Sequence, residues 1–135
     1  MGLNAKKVFL AIPAVIFGAD WLIKRHIDRV MEQGEEKEAC GGRLILKKHY
    51  NEGAAFGLFA SYPKATIHGV LLSVAAVCYA VLLPKKGKTG IKISTGMLLG
   101  GGLCNFVDRF KHKHVLDYMS VPSSCRFLRN IVFNL

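Results

Sequence analysis

Ala65-Thr-Ile-His-Gly-Val-Leu-Leu-Ser-Val-Ala-Ala-Val-Cys-Tyr-Ala-Val-Leu-Leu83 is an almost unbroken apolar run. Lys64 opens it, His68 is a lone imidazole in its first turn, and Pro84 closes it with Lys85, Lys86 and Lys88 beyond. A helix needs roughly 17–25 apolar residues to cross the hydrocarbon of a bilayer. Proline cannot continue a helix, and lysines settle at the headgroups. The run therefore predicts a membrane-spanning helix.

Two further runs flank it. The first, Val8 to about Ile23, follows Lys6 and Lys7 and contains Pro13. It imitates the charged and apolar regions of a signal peptide, but it continues into Asp20-Trp-Leu-Ile-Lys24 instead of a small-residue cleavage site, so it reads as a retained first span. The other, Ile91 to about Phe110, is the least hydrophobic and holds Gly96, Gly100, Gly101 and Gly102. Small residues let membrane helices approach closely, and Gly96-xxx-Gly100 has the required spacing, which places this helix inside a bundle.

Composition agrees with one membrane-embedded unit over residues 1–135. Hydrophobic residues make up 51% of the chain, and the mean hydropathy is +0.28, too apolar for a typical soluble domain. The net charge of +10 would suit nucleic acid, yet no basic stretch is interleaved with aromatics and the lysines flank apolar runs. Membrane lipids of negative charge are the better partner. Cys40, Cys78, Cys104 and Cys125 have no CxxC spacing, so neither a zinc site nor a disulfide framework is indicated, although a Cys40–Cys125 bridge stays open. His112 and His114 stand two apart among lysines without further ligands, and no serine has a GxSxG context.

Between the first two spans lies a polar stretch of mixed charge, Asp28 to Glu38, then Gly41-Gly42. Leu44 to Tyr50 suits a short strand, and Asn51 to Gly57 a turn or loop returning to the membrane surface. Beyond Asp108, Val115-Leu-Asp-Tyr118 reads as a small irregular or extended cap. The basic residues do not fix orientation, because they stand on both sides of the first span.

An ionisable side chain at membrane depth costs at least about 2.5–3.5 kcal/mol on insertion scales, so each needs a compensating reason. Asp20 and Lys24 are four apart, on one helical face, and suit either an anchoring ion pair or a functional role. Asp108 has Asn105 three residues before it and Arg109 beside it, at the end of the glycine-rich span. From the residues alone it is an interfacial ion-pair partner or a catalytic acid whose protonation is tuned by burial and a neighbouring charge. Asp117 reads as a solvated or hydrogen-bonded turn aspartate. Asn51-Glu-Gly-Ala-Ala-Phe-Gly57 is either an ordinary interfacial loop with Phe56 in lipid, or a surface whose glycines admit another chain.

Taken in order, these segments resemble the lipoprotein signal peptidase (signal peptidase II) family along essentially the whole chain. Asp20-Trp-Leu-Ile-Lys24 is similar to D-x-x-x-K, and Asn51-Glu-Gly-Ala-Ala-Phe-Gly57 to N-x-G-A-A-F. Gly101-Gly-Leu-Cys-Asn-Phe-Val-Asp-Arg109 is similar to G-G-A-x-G-N-x-x-D-R, with Leu103 and Cys104 in place of the usual alanine and glycine, and Val115-Leu-Asp-Tyr118 to V-V-D-F. The resemblance implies a mostly α-helical membrane bundle of four spans, with a small β-cradle and an extracytoplasmic cap. It implies a multi-pass protein of the bacterial cytoplasmic membrane that hydrolyses diacylglyceryl-modified prolipoproteins just before the modified cysteine, using two aspartates and neither metal nor organic cofactor.

On that resemblance Asp108 is one member of the catalytic pair. Asn105, Arg109, Asn134 and the loop residues Asn51, Gly53, Ala54, Ala55, Phe56 and Gly57 bind substrate, while Asp20, Lys24 and Asp117 support the site. The family's other catalytic aspartate belongs to F-N-x-A-D at the start of the fourth helix. This chain reaches Phe133-Asn134-Leu135, so the expectation is a second aspartate and a fourth span beyond Leu135. The alternative expectation is a catalytically incomplete relative that binds lipoprotein precursors without cleaving them.

Overall fold

The computed structural model describes residues 3–53, 69, 71, 73–75, 77, 78, 89–124 and 131–135, with residues 3–10 described by backbone only. The elements in chain order are α1 (Leu3–Val30), β1 (Glu36–Ala39), β2 (Leu44–Asn51), α2 (Thr89–His112) and β3 (Val115–Ser120). Helices thus occupy the first and third expected spans. The expected span from Ala65 to Leu83 falls largely outside the described residues, of which those between 69 and 78 are helical. Among the described residues no helix is long and apolar enough to cross a membrane. The shortfall has a local cause, since α1 carries Asp20 and Lys24 within its length, but both side chains are buried, at 0% and 5% exposure. The helix surface is more apolar than its sequence, with Val15 65% and Leu22 60% exposed.

One stripe of α1 organises the molecule. Asp20, Lys24, Ile27 and Met31 recur at helical spacing and are all buried. The apolar half of the stripe, Ile27 and Met31, packs on Leu116 and Tyr118, with Leu46, Tyr50 and Met119 around them. Each such side chain withdrawn from water stabilises the fold by about 1.5–3 kcal/mol. The last carbonyls of a helix have no partner within it. Lys48 of β2 fills this gap, its Nζ donating to the carbonyls of Asp28 at 2.7 Å and Met31 at 3.1 Å, where a cation also suits the helix dipole.

The glycines of α2 let it lie directly against α1. A Cβ on Gly100 would stand 2.6 Å from the Pro13 carbonyl oxygen and 2.8 Å from Ile16 Cβ, and one on Gly96 would stand 3.1 Å from Ile12 Cγ2. The backbone oxygen cannot move aside as a side-chain tip can. Gly100→Ala is therefore expected to cost about 1–3 kcal/mol through overpacking. Gly102→Ala, whose Cβ would meet Val74 at an ordinary 3.7 Å, should stay within about 0.5 kcal/mol. Thermal unfolding of both variants in detergent checks the contrast.

The sheet is antiparallel in the order β1-β2-β3. Its first hairpin turns through Cys40, Gly41 and Gly42, at φ 52°, 66° and 80°, a left-handed path that two glycines make affordable. β1 is Glu-Lys-Glu-Ala, a poor strand sequence, and was read only as part of a polar stretch; the tight turn lays it against β2, Glu36 opposite Lys47. β2 pairs with β3 from Ile45 opposite Ser120 to Asn51 opposite Val115, with an irregularity between Leu46 and His49. Of the two forms expected for the cap, irregular or extended, it takes the extended one, as a regular strand over Val115–Ser120. Residues 131–135 extend the arrangement, because Phe133 bridges Met119 with both backbone hydrogen bonds at 2.8 Å. Cys40, Cys78 and Cys104 are free thiols, and Cys125 lies outside the described residues.

Candidate active site

The polar half of the α1 stripe meets α2 through a single ammonium. Lys24 Nζ stands 2.9 Å from Asp20 Oδ2 and 2.8 Å from Asp108 Oδ2, and donates at 2.7 Å to Asn105 Oδ1. Cys104 Sγ lies 3.8 Å from the same nitrogen. Asn105 and Asp108 are three apart on α2 and so present neighbouring side chains to it. Asp20 is further held by the Tyr118 hydroxyl, which donates to its Oδ1 at 2.9 Å. One cation is thus shared by two carboxylates. Charges so placed persist only when paired and hydrogen-bonded.

A second carboxylate centre lies on β3. Asp117 accepts from Asn51 Nδ2 at 2.9 Å on one oxygen and from Asn134 Nδ2 at 2.5 Å on the other. Burial pushes its carboxyl above the ordinary carboxylate range, and the Asn51 hydrogen bond and the charges of Lys24, His49 and Arg109 only partly offset this. Asn51 is set by its own loop, since its Oδ1 accepts from the Gly53 backbone at 2.9 Å, an asparagine turn. Arg109 crosses from α2 to the same loop, its Nη2 donating to the Gly53 carbonyl at 2.8 Å. Its Nε is buried and has no acceptor among the described residues.

The two centres are joined by carboxamides. Lys24 occupies the oxygen of Asn105, whose Nδ2 then donates to Asn134 Oδ1 at 3.1 Å, whose Nδ2 in turn reaches Asp117. An amide offers an acceptor on one side and donors on the other, so fixing the first fixes the direction of the second. Asn134 arrives there because the Phe133 bridge holds 131–135 beside β3.

Of the residues singled out from sequence, Asp20, Lys24, Asn51, Gly53, Asn105, Asp108, Arg109, Asp117 and Asn134 converge in these contacts. Ala54, Ala55, Phe56 and Gly57 lie outside the described residues. Tyr118 and Cys104 were not foreseen as contacts of the site. A tyrosine following Asp117 on an alternating strand was the available signal for the first. The rings of His112 and His114 are 6.0 Å apart.

The signal peptidase (SPase) II family profile matches residues 12–135. This chain belongs to the signal peptidase II family. Its relatives include the lipoprotein signal peptidase of Shouchella clausii, 31% identical over 80% of this chain and 72% of that protein. That of Lactobacillus johnsonii is 30% identical over 95% of this chain and 80% of the relative. In three dimensions the chain is similar to a solved bacterial membrane enzyme, with a TM-score of 0.80 at 22% identity over 95% of this chain and 77% of that one. The helices and antiparallel sheet are therefore a signal peptidase II chain folded like a known membrane enzyme.

Proposed function

We propose that this chain is an aspartic endopeptidase that removes signal peptides from diacylglyceryl-modified prolipoproteins at the bacterial cytoplasmic membrane. In this reading α1 and α2 cross the bilayer as part of a multi-pass bundle, and the sheet caps the site on the extracytoplasmic face. Sequence reasoning gave acid–base work to Asp108 and a supporting place to Asp117. The geometry favours the reverse. Asp108 is tied at 2.8 Å to the Lys24 ammonium, which also serves Asp20, so it is engaged in a structural contact. Asp117 is buried with its proton affinity raised, the condition for a carboxyl that works near neutral pH. That contrast carries the assignment.

In the mechanism one carboxylate of a pair is ionised and takes a proton from water as the water attacks the scissile carbonyl. The other is protonated and donates to the carbonyl oxygen. The tetrahedral intermediate then collapses, the C–N bond breaks, and the leaving amine takes up a proton. Two close carboxylates cannot readily both ionise, which holds one proton on the pair. In this reading Asp117 supplies one member. Asn51 and Asn134 orient Asp117, and the buried Nε of Arg109 is a donor without an acceptor among the described residues. No step in this scheme calls on a metal or cofactor.

The test is the full-length protein reconstituted in vesicles with a lipid-modified prolipoprotein. Mass spectrometry should find the released signal peptide and a mature chain beginning at the modified cysteine. A precursor left intact would overturn the proposal.

A further inference from the structure

Leu116 and Asp117 are neighbours on β3 and so face opposite sides of the strand. Asp117 turns to the two asparagines, whereas Leu116 lines a cleft of about 370 Å³ between α1 and the α2–β3 corner, which Lys24 and Asp108 also line. Several charged side chains line the cleft, and some of them are already answered. Lys24 and Asp108 pair with each other. Asp28 is taken by Lys48 at 3.0 Å and by the Tyr50 hydroxyl, which donates to it.

Arg25 and Arg29 are different. Both line the cleft, one helical turn apart, and among the described residues neither has a carboxylate at ion-pair distance. The Arg25 guanidinium stands 5.2 Å over the ring of Trp21, which fixes its plane at the rim. His112 and His114 face them from the other wall.

The outer surface of α1 says what kind of anion fits. Val15, Leu22 and Arg29 recur every seven residues and so share one face. Val15 is 65% and Leu22 60% exposed. An apolar stripe thus runs along α1 and ends at two unanswered guanidiniums, with an indole at the boundary, where tryptophan settles in membranes.

We infer that the cleft binds the phosphate of an anionic glycerophospholipid, with its acyl chains along the Leu22–Val15 stripe and its phosphate on Arg25 and Arg29. Guanidinium groups meet phosphate with paired hydrogen bonds, and basic pockets beside membrane helices hold headgroups. A zwitterionic headgroup would set its own cation beside the two guanidiniums, and free phosphate would leave the apolar stripe uncovered. The bound lipid would stand on the face of β3 away from Asp117. This inference rests on the membrane reading of α1 and is independent of proteolysis.

Trp21 is the chain's single tryptophan, so its fluorescence reports on the cleft directly. The 135-residue chain in neutral detergent is titrated with short-chain phosphatidylglycerol, with phosphatidylcholine of the same chains, and with inorganic phosphate. Phosphatidylglycerol should give a saturable change in Trp21 emission, at least about tenfold tighter than either of the others. R25Q/R29Q should weaken it at least about tenfold, as loss of charge-assisted contacts requires, while R25K/R29K should recover part of it. Equal responses to the two lipids, an unaltered titration in R25Q/R29Q, or full saturation by phosphate alone would each overturn the inference. Vesicle flotation separates the two layers: a chain left in the aqueous fraction sinks the membrane reading and the inference with it, whereas a floating chain with Trp21 blind to phosphatidylglycerol sinks the inference alone.

Discussion

Asp117→Asn should lower cleavage of a lipid-modified precursor by about 10²–10⁴-fold, the usual worth of general acid–base catalysis, in protein that remains folded. The replacement keeps the size of the side chain but cannot exchange a proton. Asp108→Asn should behave differently. It leaves Lys24 paired with Asp20 at 2.9 Å, so the expected loss is about 1–3 kcal/mol of stability, the worth of a charge-assisted hydrogen bond. Turnover per folded molecule should remain within about tenfold. Measuring rate and thermal unfolding on both variants separates the roles. A dead Asp108→Asn beside an active Asp117→Asn would return the catalytic part to Asp108.

The same assignment has a pH signature. Burial raises the Asp117 carboxyl from its ordinary value of 3.8. For an acid raised in the fold, the protonated form is favoured, so its contribution to stability is full below 3.8 and lost as pH rises through the folded value. The acid limb of kcat/KM should accordingly lie above the ordinary carboxylate range and be abolished with Asp117→Asn. The apparent values belong to the pair of carboxylates, not to one residue.

Much of this was legible in the sequence, and for identifiable reasons. The helices of α1 and α2 follow from apolar runs, and their close packing from Gly96-xxx-Gly100, because a missing Cβ has one geometric meaning. The Asp20–Lys24 pair follows from four-residue spacing on one face. β1 was not legible: Glu-Lys-Glu-Ala has no strand pattern, and the three left-handed residues Cys40, Gly41 and Gly42 dictate its pairing. The contacts of the aspartates were hidden for a different reason. Asp108 stands beside Asn105 and Arg109 in sequence, but Lys24, which neutralises it, lies 84 residues away. Asp117 is joined to Asn51 across 66 residues and to Asn134 across 17. Local sequence records neighbours along the chain, whereas proton affinity is set by neighbours in space.

Lys24→Met is the substitution expected to cost the fold most. Methionine keeps the length and packing of the stem and removes only the ammonium. Asp20, fully buried, then loses its cation and keeps the neutral Tyr118 hydroxyl as a donor, and Asp108 loses its ion pair. Leaving buried charge without its partner costs about 3–5 kcal/mol, against a total stability of about 5–15 kcal/mol for a domain. The charge and not the shape is at fault, so the triple variant K24M/D20N/D108N, with no ionised group left at this junction, should recover most of the lost Tm. Recovery of stability should not bring full recovery of rate. Asn105 would still lack the donor on its oxygen, free to turn its amide and release Asn134 from Asp117, so kcat should stay below that of Asp108→Asn alone. Thermal unfolding and turnover of the single and triple variants decide the matter: an unchanged Tm in Lys24→Met would mean that the ammonium does not hold the two carboxylates together.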